Sequence, residues 1–177
     1  EGMQRARNAG ALTSFDLNLR PALWPHGSEP RAQAWPALLL ADVVKLSAEE
    51  FDWLATDGEQ ALLDRFWTGC TRLVVVTDGA HPLRWYHPDA EGELPCYNVP
   101  MVDSTGAGDA FVGGLLYQLA QQQVTRDNID AWVGTLPHLH AALRFASACG
   151  AVAVTRHGSF TAMPNTAEVE QFMETHA

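Results

Sequence analysis

The residues from Asp103 to Phe111 (Asp-Ser-Thr-Gly-Ala-Gly-Asp-Ala-Phe) join a glycine-rich turn to a carboxylate and then to the start of an apolar run. The run continues through Val112, Leu115, Leu116 and Leu119 at helical spacing. A glycine-rich turn that opens a helix presents backbone N–H groups at the positive end of the helix dipole, which makes it a site for an anion. A carboxylate beside such a site can take a proton from an attacking hydroxyl while the amides hold the charge that develops on the group in transit. Phosphoryl transfer calls for this pairing, because positioning and charge stabilisation supply most of its catalysis. The same residue types are also the ordinary vocabulary of loops and helix N-caps, so a lone Gly-x-Gly-Asp would carry little weight.

The longer string carries more. Asp103 to Leu116, DSTGAGDAFVGGLL, resembles the C-terminal signature of the ribokinase-like (pfkB) carbohydrate kinases position by position. The resemblance implies that the amides of Gly106, Ala107 and Gly108 form the anion hole and that Asp109 is the catalytic base, in contact with the sugar. It implies ATP-dependent phosphorylation of a sugar primary hydroxyl, nearest to fructokinase, with ribose, ketodeoxygluconate or a nucleoside as alternative substrates. Phe15 to Arg20, followed by Trp24, resembles the D-x-N-x-R segment of the fructokinase and ketodeoxygluconate kinase branches, which assigns Asn18 and Arg20 to substrate binding. The other reading of Arg20 is a simple pair with Asp16 across a turn.

Lys45 to Glu50 resembles the family's N-x-x-E segment, with Ser47 where much of the family has Asn. This implies Lys45 among the ATP-binding residues and Glu50 as an organiser of Mg²⁺ through water. One carboxylate is chemically sufficient for an ion that keeps most of its waters. Ser47 and Glu50 also make a capping box that needs no metal. Thr77 and Gly79 match the T-x-G-x-x-G segment beside the nucleotide, with Pro82 in place of the second glycine, and Ser147 aligns with a residue near the adenine. Ala151 to Gly158, with Pro164, resembles the late segment that closes the adenine pocket. Together with Asp103 and Thr105 it implies a monovalent-cation (K⁺) site using Asp103, Thr105, Ala153, Arg156 and Gly158. Ala162 stands where cation-activated members supply a hydroxyl.

Composition narrows the class. The chain has 177 residues, 47% hydrophobic and 18% charged, which describes a globular protein with a sizeable core. Its net charge of −10 argues against nucleic acid and anionic membranes as partners, without forbidding ATP at a local anion hole. No apolar run reaches membrane-spanning length, and residues 1–30 lack a signal-peptide pattern. Three widely spaced cysteines, Cys70, Cys96 and Cys149, fit a reduced, cytoplasmic protein. There is no Gly-x-x-x-x-Gly-Lys-Ser/Thr string, and the histidines show no metal-ligand spacing.

The elements that must position these groups follow from periodicity. Strands are expected at 11–16, 43–46 and 73–77, the last apolar throughout as in a parallel sheet covered on both faces. Leu83–His87 and Leu94–Val99 read as an antiparallel pair, and helices are expected at 31–41, from Ser47, and at 59–69, 106–122, 126–134, 137–154 and 166–176. The alternation predicts a doubly wound, mostly parallel α/β sheet flanked by helices, as a single domain over residues 1–177. The resemblance covers nearly all of this chain but only the later half or so of the family pattern. The chain therefore reads as the C-terminal nucleotide-binding and catalytic part of a longer sugar kinase, inactive alone. The family's sugar-binding residues and its dimer-forming lid lie largely in the other part, so a homodimer belongs to the full-length protein. The competing class is a nucleotide-binding module without catalysis.

Overall fold

The computed structural model describes residues 1–176. These residues divide into two compact units. The first holds Glu1–Asp78, Leu83–Glu93 and Thr125–Asp130; the second holds Gly79–Pro82, Leu94–Val124 and the chain from Ala131.

The sheet is five-stranded in the order β1 (Ser14–Asp16), β2 (Val43–Ser47), β3 (Leu73–Asp78), β4 (His81–His87), β5 (Ala90–Leu94). β1, β2 and β3 run parallel, with Phe15 opposite Val44 and Val44 opposite Val74. The two-residue connections from β3 to β4 and from β4 to β5 oblige antiparallel pairing, so the parallel sheet carries an antiparallel edge. Leu73 to Val76 are fully buried, which explains their unbroken apolar run.

In the first unit, α1 (Gly2–Asn8), α2 (Pro30–Leu38), α3 (Ala48–Leu54) and α4 (Glu59–Trp67) accompany the strands. Trp35, Leu38, Val44, Leu46, Phe51, Phe66, Val74 and Val76 share one core. α4 contributes Leu62, Leu63 and Phe66 from one face, at the spacing a helix requires. In the second unit, α5 (Ala107–Gln121) packs along α7 (Leu136–Val154), with α8 (Thr166–Thr175) against α7; α6 (Ile129–Val133) begins in the first unit and ends in the second. A Cβ added at Gly114 would lie 2.6 Å from Cys149 Sγ and 3.1 Å from Ala146 Cα, so only glycine permits this approach of α5 to α7.

Three expectations are corrected. Residues 2–8 form a helix that the sequence did not announce. Its apolar contribution is Met3, packed against the core of the first unit, and its buried residue is Arg7, whose guanidinium meets Asp42 Oδ1 at 2.6 Å and the Leu40 carbonyl at 3.0 Å. The second hairpin strand is Ala90–Leu94, not 94–99. Pro95 and Pro100 supply no ladder donor, while Gly92 lies flat against the Trp85 ring, where a Cβ would come within 2.8 Å. The helix expected at 126–134 is shorter, Ile129–Val133. Asn128 Oδ1 accepts the Thr125 N–H at 2.7 Å and shapes a turn ahead of it.

Candidate active site

The second unit carries the signature. Gly106 caps α5 in the left-handed region, φ 80°, a conformation natural to glycine. A Cβ there would lie 2.9 Å from Ser159 Oγ and 3.2 Å from Met163 Cε, so the turn also fits closely beneath the 159–163 segment. Ala107 N–H donates to the Ser104 carbonyl at 3.2 Å. Among the described residues no backbone acceptor takes the N–H of Gly106 or Gly108. Two amides with no backbone partner at the positive end of a fifteen-residue helix can hold an anion.

Asp109 stands in the first turn of α5, exposed, and lines a cleft of about 370 Å³. Ala110, Gly113, Tyr117, Phe145, Cys149 and Met163 also line it. An exposed carboxylate over open space can reach a substrate hydroxyl.

Asp103 pins the turn from the other side. Its Oδ1 accepts the Thr105 N–H at 2.9 Å and its Oδ2 accepts the Gly158 N–H at 2.9 Å. These bonds, Gly158 first and Thr105 next, hold the carboxyl down at about 2. Both the Val102 and Asp103 amides donate to the Val154 carbonyl, at 2.7 and 3.2 Å. The signature is thereby tied to the end of α7. Ala153's carbonyl accepts the Arg156 N–H at 3.2 Å, and the Arg156 guanidinium reaches Glu168 Oε1 at 2.6 Å. Ala162 is fully buried and brings only a methyl group. This donor set has no hydroxyl at 162.

Ser147 lies inside α7, 8% exposed, and its hydroxyl is buried with no hydrogen-bond partner among the described residues. A buried hydroxyl left unpaired is costly, and a polar ligand edge would satisfy it. That orphan and the two unbonded amides fit a nucleotide.

The first unit gathers the remaining candidates at the carboxyl ends of its parallel strands, where open α/β sheets bind ligands. Asn18, just past β1, takes φ 43°, and Asn18 and Arg20 are exposed. Lys45 in β2 is only 8% exposed, and its Nζ lies 3.3 Å from Asp16 Oδ1. Ser47 caps α3 in a complete capping box with Glu50. Glu50 Oε2 accepts the Ser47 N–H at 2.8 Å, and its Oε1 accepts the Leu19 N–H at 2.6 Å. That second bond was invisible to sequence reasoning, because it joins residues 31 apart. Thr77 is the last residue but one of β3, and its hydroxyl donates to the Leu46 carbonyl at 3.4 Å; Gly79, which is assigned to the second unit, turns the chain at φ 56°.

Comparison with known proteins bears on the family and the fold. The model of the pfkB family carbohydrate kinases matches residues 1–166. A fructokinase-1 from rice (Oryza sativa subsp. japonica) is 37% identical over 98% of this chain and 52% of its own length. The crystal structure of a fructokinase from Xylella fastidiosa with bound ATP superposes with a TM-score of 0.95 at 47% identity, over 98% of this chain and 55% of that one. A Vibrio cholerae O395 fructokinase, solved with fructose, ADP and potassium ion bound, gives 0.83 at 37% identity, over 96% and 53%. The chain spans about half the length of each of these relatives. Its fold is ribokinase-like, and the chain belongs to the pfkB family of carbohydrate kinases.

Proposed function

We propose that the full-length protein transfers the γ-phosphoryl group of ATP to a primary hydroxyl of a sugar, with fructose as the substrate. The observation that carries this is the α5 entrance: Gly106 and Gly108 amides without backbone acceptors, one turn from an exposed Asp109. Asp109 takes the proton as the hydroxyl oxygen attacks phosphorus, the bond from phosphorus to the bridging oxygen breaks, and ADP leaves. The amides of Gly106, Ala107 and Gly108 receive the negative charge on the transferring group, with Ala107 exchanging its bond to Ser104 for one to the anion. Ser147, Thr77, Gly79 and Lys45 belong to the nucleotide side, and Asn18 and Arg20 to the sugar and phosphate side. Mg²⁺, when bound with ATP, neutralises phosphate oxygens, and Glu50 supplies the carboxylate of that region. The two fructokinase structures, with ATP and with fructose and ADP, support fructose over the other sugars.

The 177 residues alone bind nucleotide without turning sugar over, because the family's sugar-recognising residues lie largely outside the matched part. A coupled ADP-release assay tests both statements. The full-length protein with Mg·ATP should turn over fructose faster than ribose, ketodeoxygluconate or nucleosides, and the 177-residue chain should not. Nucleotide binding without turnover by the full-length protein would replace this reading with a non-catalytic module.

A further inference from the structure

The open face of Gly106 is closed by side chains of the segment that follows α7. A Cβ on Gly106 would lie 3.2 Å from Met163 Cε, so the Met163 methyl group fills the space where a side chain would begin. The same methionine, half-buried, lines the Asp109 cleft and packs against the cluster of Ala110, Phe145, Cys149 and Val169. One thioether side chain therefore touches the signature turn and walls the cleft beside the carboxylate. Its backbone is held in place. Asp103 Oδ2 takes the Gly158 N–H at 2.9 Å, Ala162 N–H donates to the Ser159 carbonyl at 3.2 Å, and Met163 N–H donates to the Phe160 carbonyl at 3.3 Å. Pro164 follows, with its φ set by the ring. A flexible, unbranched side chain thus bridges two fixed stretches of backbone.

A methionine in this place brings reactivity as well as volume. A half-buried thioether on the wall of an open cleft is accessible to a peroxide. The sulfur gives an electron pair to one peroxide oxygen, the O–O bond breaks, and the other oxygen leaves with both protons as water. The product is a sulfoxide, and its oxygen is a strong hydrogen-bond acceptor on the atom next to the methyl carbon. Among the described residues the Gly106 and Gly108 N–H groups have no backbone acceptor. An acceptor brought to that turn competes with phosphoryl oxygens for the same donors. Its polarity also disfavours the apolar packing that holds the thioether against Phe145 and Val169.

We propose that Met163 is a positioning residue for the signature turn and a site of reversible oxidation that shuts it. The thioether packs Gly106 into place, and the sulfoxide oxygen takes up the amides that receive the γ-phosphoryl group. The proposal rests on the kinase reading above. The oxidant is hydrogen peroxide, and a methionine sulfoxide reductase supplied with a thiol returns the thioether.

The experiment uses the full-length protein. Fructose phosphorylation and the affinities for ATP and ADP are measured first on the unaltered protein. Absence of turnover would sink the kinase reading, while ATP binding before and after peroxide still decides the Met163 proposal. Mild peroxide, with the oxidised residues located by peptide mass spectrometry, should weaken ATP binding about tenfold as Met163 gains its oxygen. ADP affinity should stay within about threefold, because the γ-phosphoryl group is the part that meets the turn. The rate of fructose phosphorylation should fall in step with the oxidised fraction. Methionine sulfoxide reductase should restore both readings and dithiothreitol alone should not, which separates the sulfoxide from oxidised Cys70 or Cys96. Met163→Leu has no sulfur, and after peroxide it should keep at least about four-fifths of the rate it had before. Met101 is 71% exposed, and Met101→Leu should be as sensitive to peroxide as the unaltered protein. Met163→Gln, with a polar oxygen on a chain of similar length, should weaken ATP more than ADP. Equal peroxide loss in Met163→Leu, recovery with dithiothreitol alone, an inactivated protein whose Met163 carries no added oxygen, or Met163 sulfoxide with undiminished ATP affinity would each overturn the proposal.

Discussion

Asp109 and Asp103 are six residues apart and have opposite surroundings. Asp109 is exposed on the first turn of α5 and lines a cleft, with no hydrogen bond to its oxygens among the described residues. Asp103 has both oxygens bound by amides of Gly158 and Thr105. In the full-length protein, on the proposed kinase reading, Asp109→Asn should lower kcat about a thousandfold, roughly 4 kcal/mol, with nucleotide affinity nearly unchanged, as judged by turnover beside ATP titration calorimetry. A loss under tenfold would remove Asp109 as the base. Asp103 acts on stability instead. Its pKa is held at about 2 in the folded chain against an ordinary 3.8. Its stabilising effect is therefore complete above that ordinary value and disappears as pH falls toward about 2. Acid unfolding followed by circular dichroism should show this limb, and Asp103→Asn should flatten it. The signature was legible because its chemistry is local: a glycine turn, an acid and a helix start lie within nine residues. The Glu50–Leu19 bond and the unpaired Ser147 hydroxyl were not legible, since each depends on which distant strand or helix comes alongside.

At the scale of elements, α5 and α7 are held together by small residues. Gly114 opposes Cys149 and Ala146, and Gly150 lies opposite the Ala107 carbonyl, where a Cβ would come within 3.3 Å. Gly114→Ala should destabilise the second unit by roughly 1–3 kcal/mol through overpacking, measurable in urea unfolding, although alanine is the better helix former. An unchanged midpoint would mean that the helices separate at little cost. β3 and α3 could be read from the sequence because their signals are local, an unbroken apolar run in one and Ser47 with Glu50 in the other. α1 and β5 could not. Arg7 becomes a core residue only when Asp42 is brought to it, and Gly92 becomes a strand residue only when the Trp85 ring lies on it.

At the scale of the molecule, the chain does not complete one unit before starting the other. Thr125–Asp130 returns to the first unit after α5 has been laid down in the second. Arg126 fastens this return: its guanidinium donates to the Arg7 carbonyl at 2.7 Å and lies 3.8 Å from Asp42. Residues 119 apart in sequence are thus hydrogen-bonded, so neither unit can be excised by a single cut. Among the described residues no helix is long and apolar enough to cross a membrane.

The sulfur beneath Gly114 has a use in the laboratory. Cys149 is 6% exposed, and burial pushes its thiol up to about 11, so it should resist alkylation while α5 and α7 stay together. Cys70 and Cys96 are partly exposed and should react first. The rate at which Cys149 is modified then becomes a clock for how often the helix pair opens. A rate that follows urea with the full unfolding slope would mean that the pair parts only when everything unfolds. A rate indifferent to urea would mean that the walls of the Asp109 cleft separate on their own while the protein is still folded.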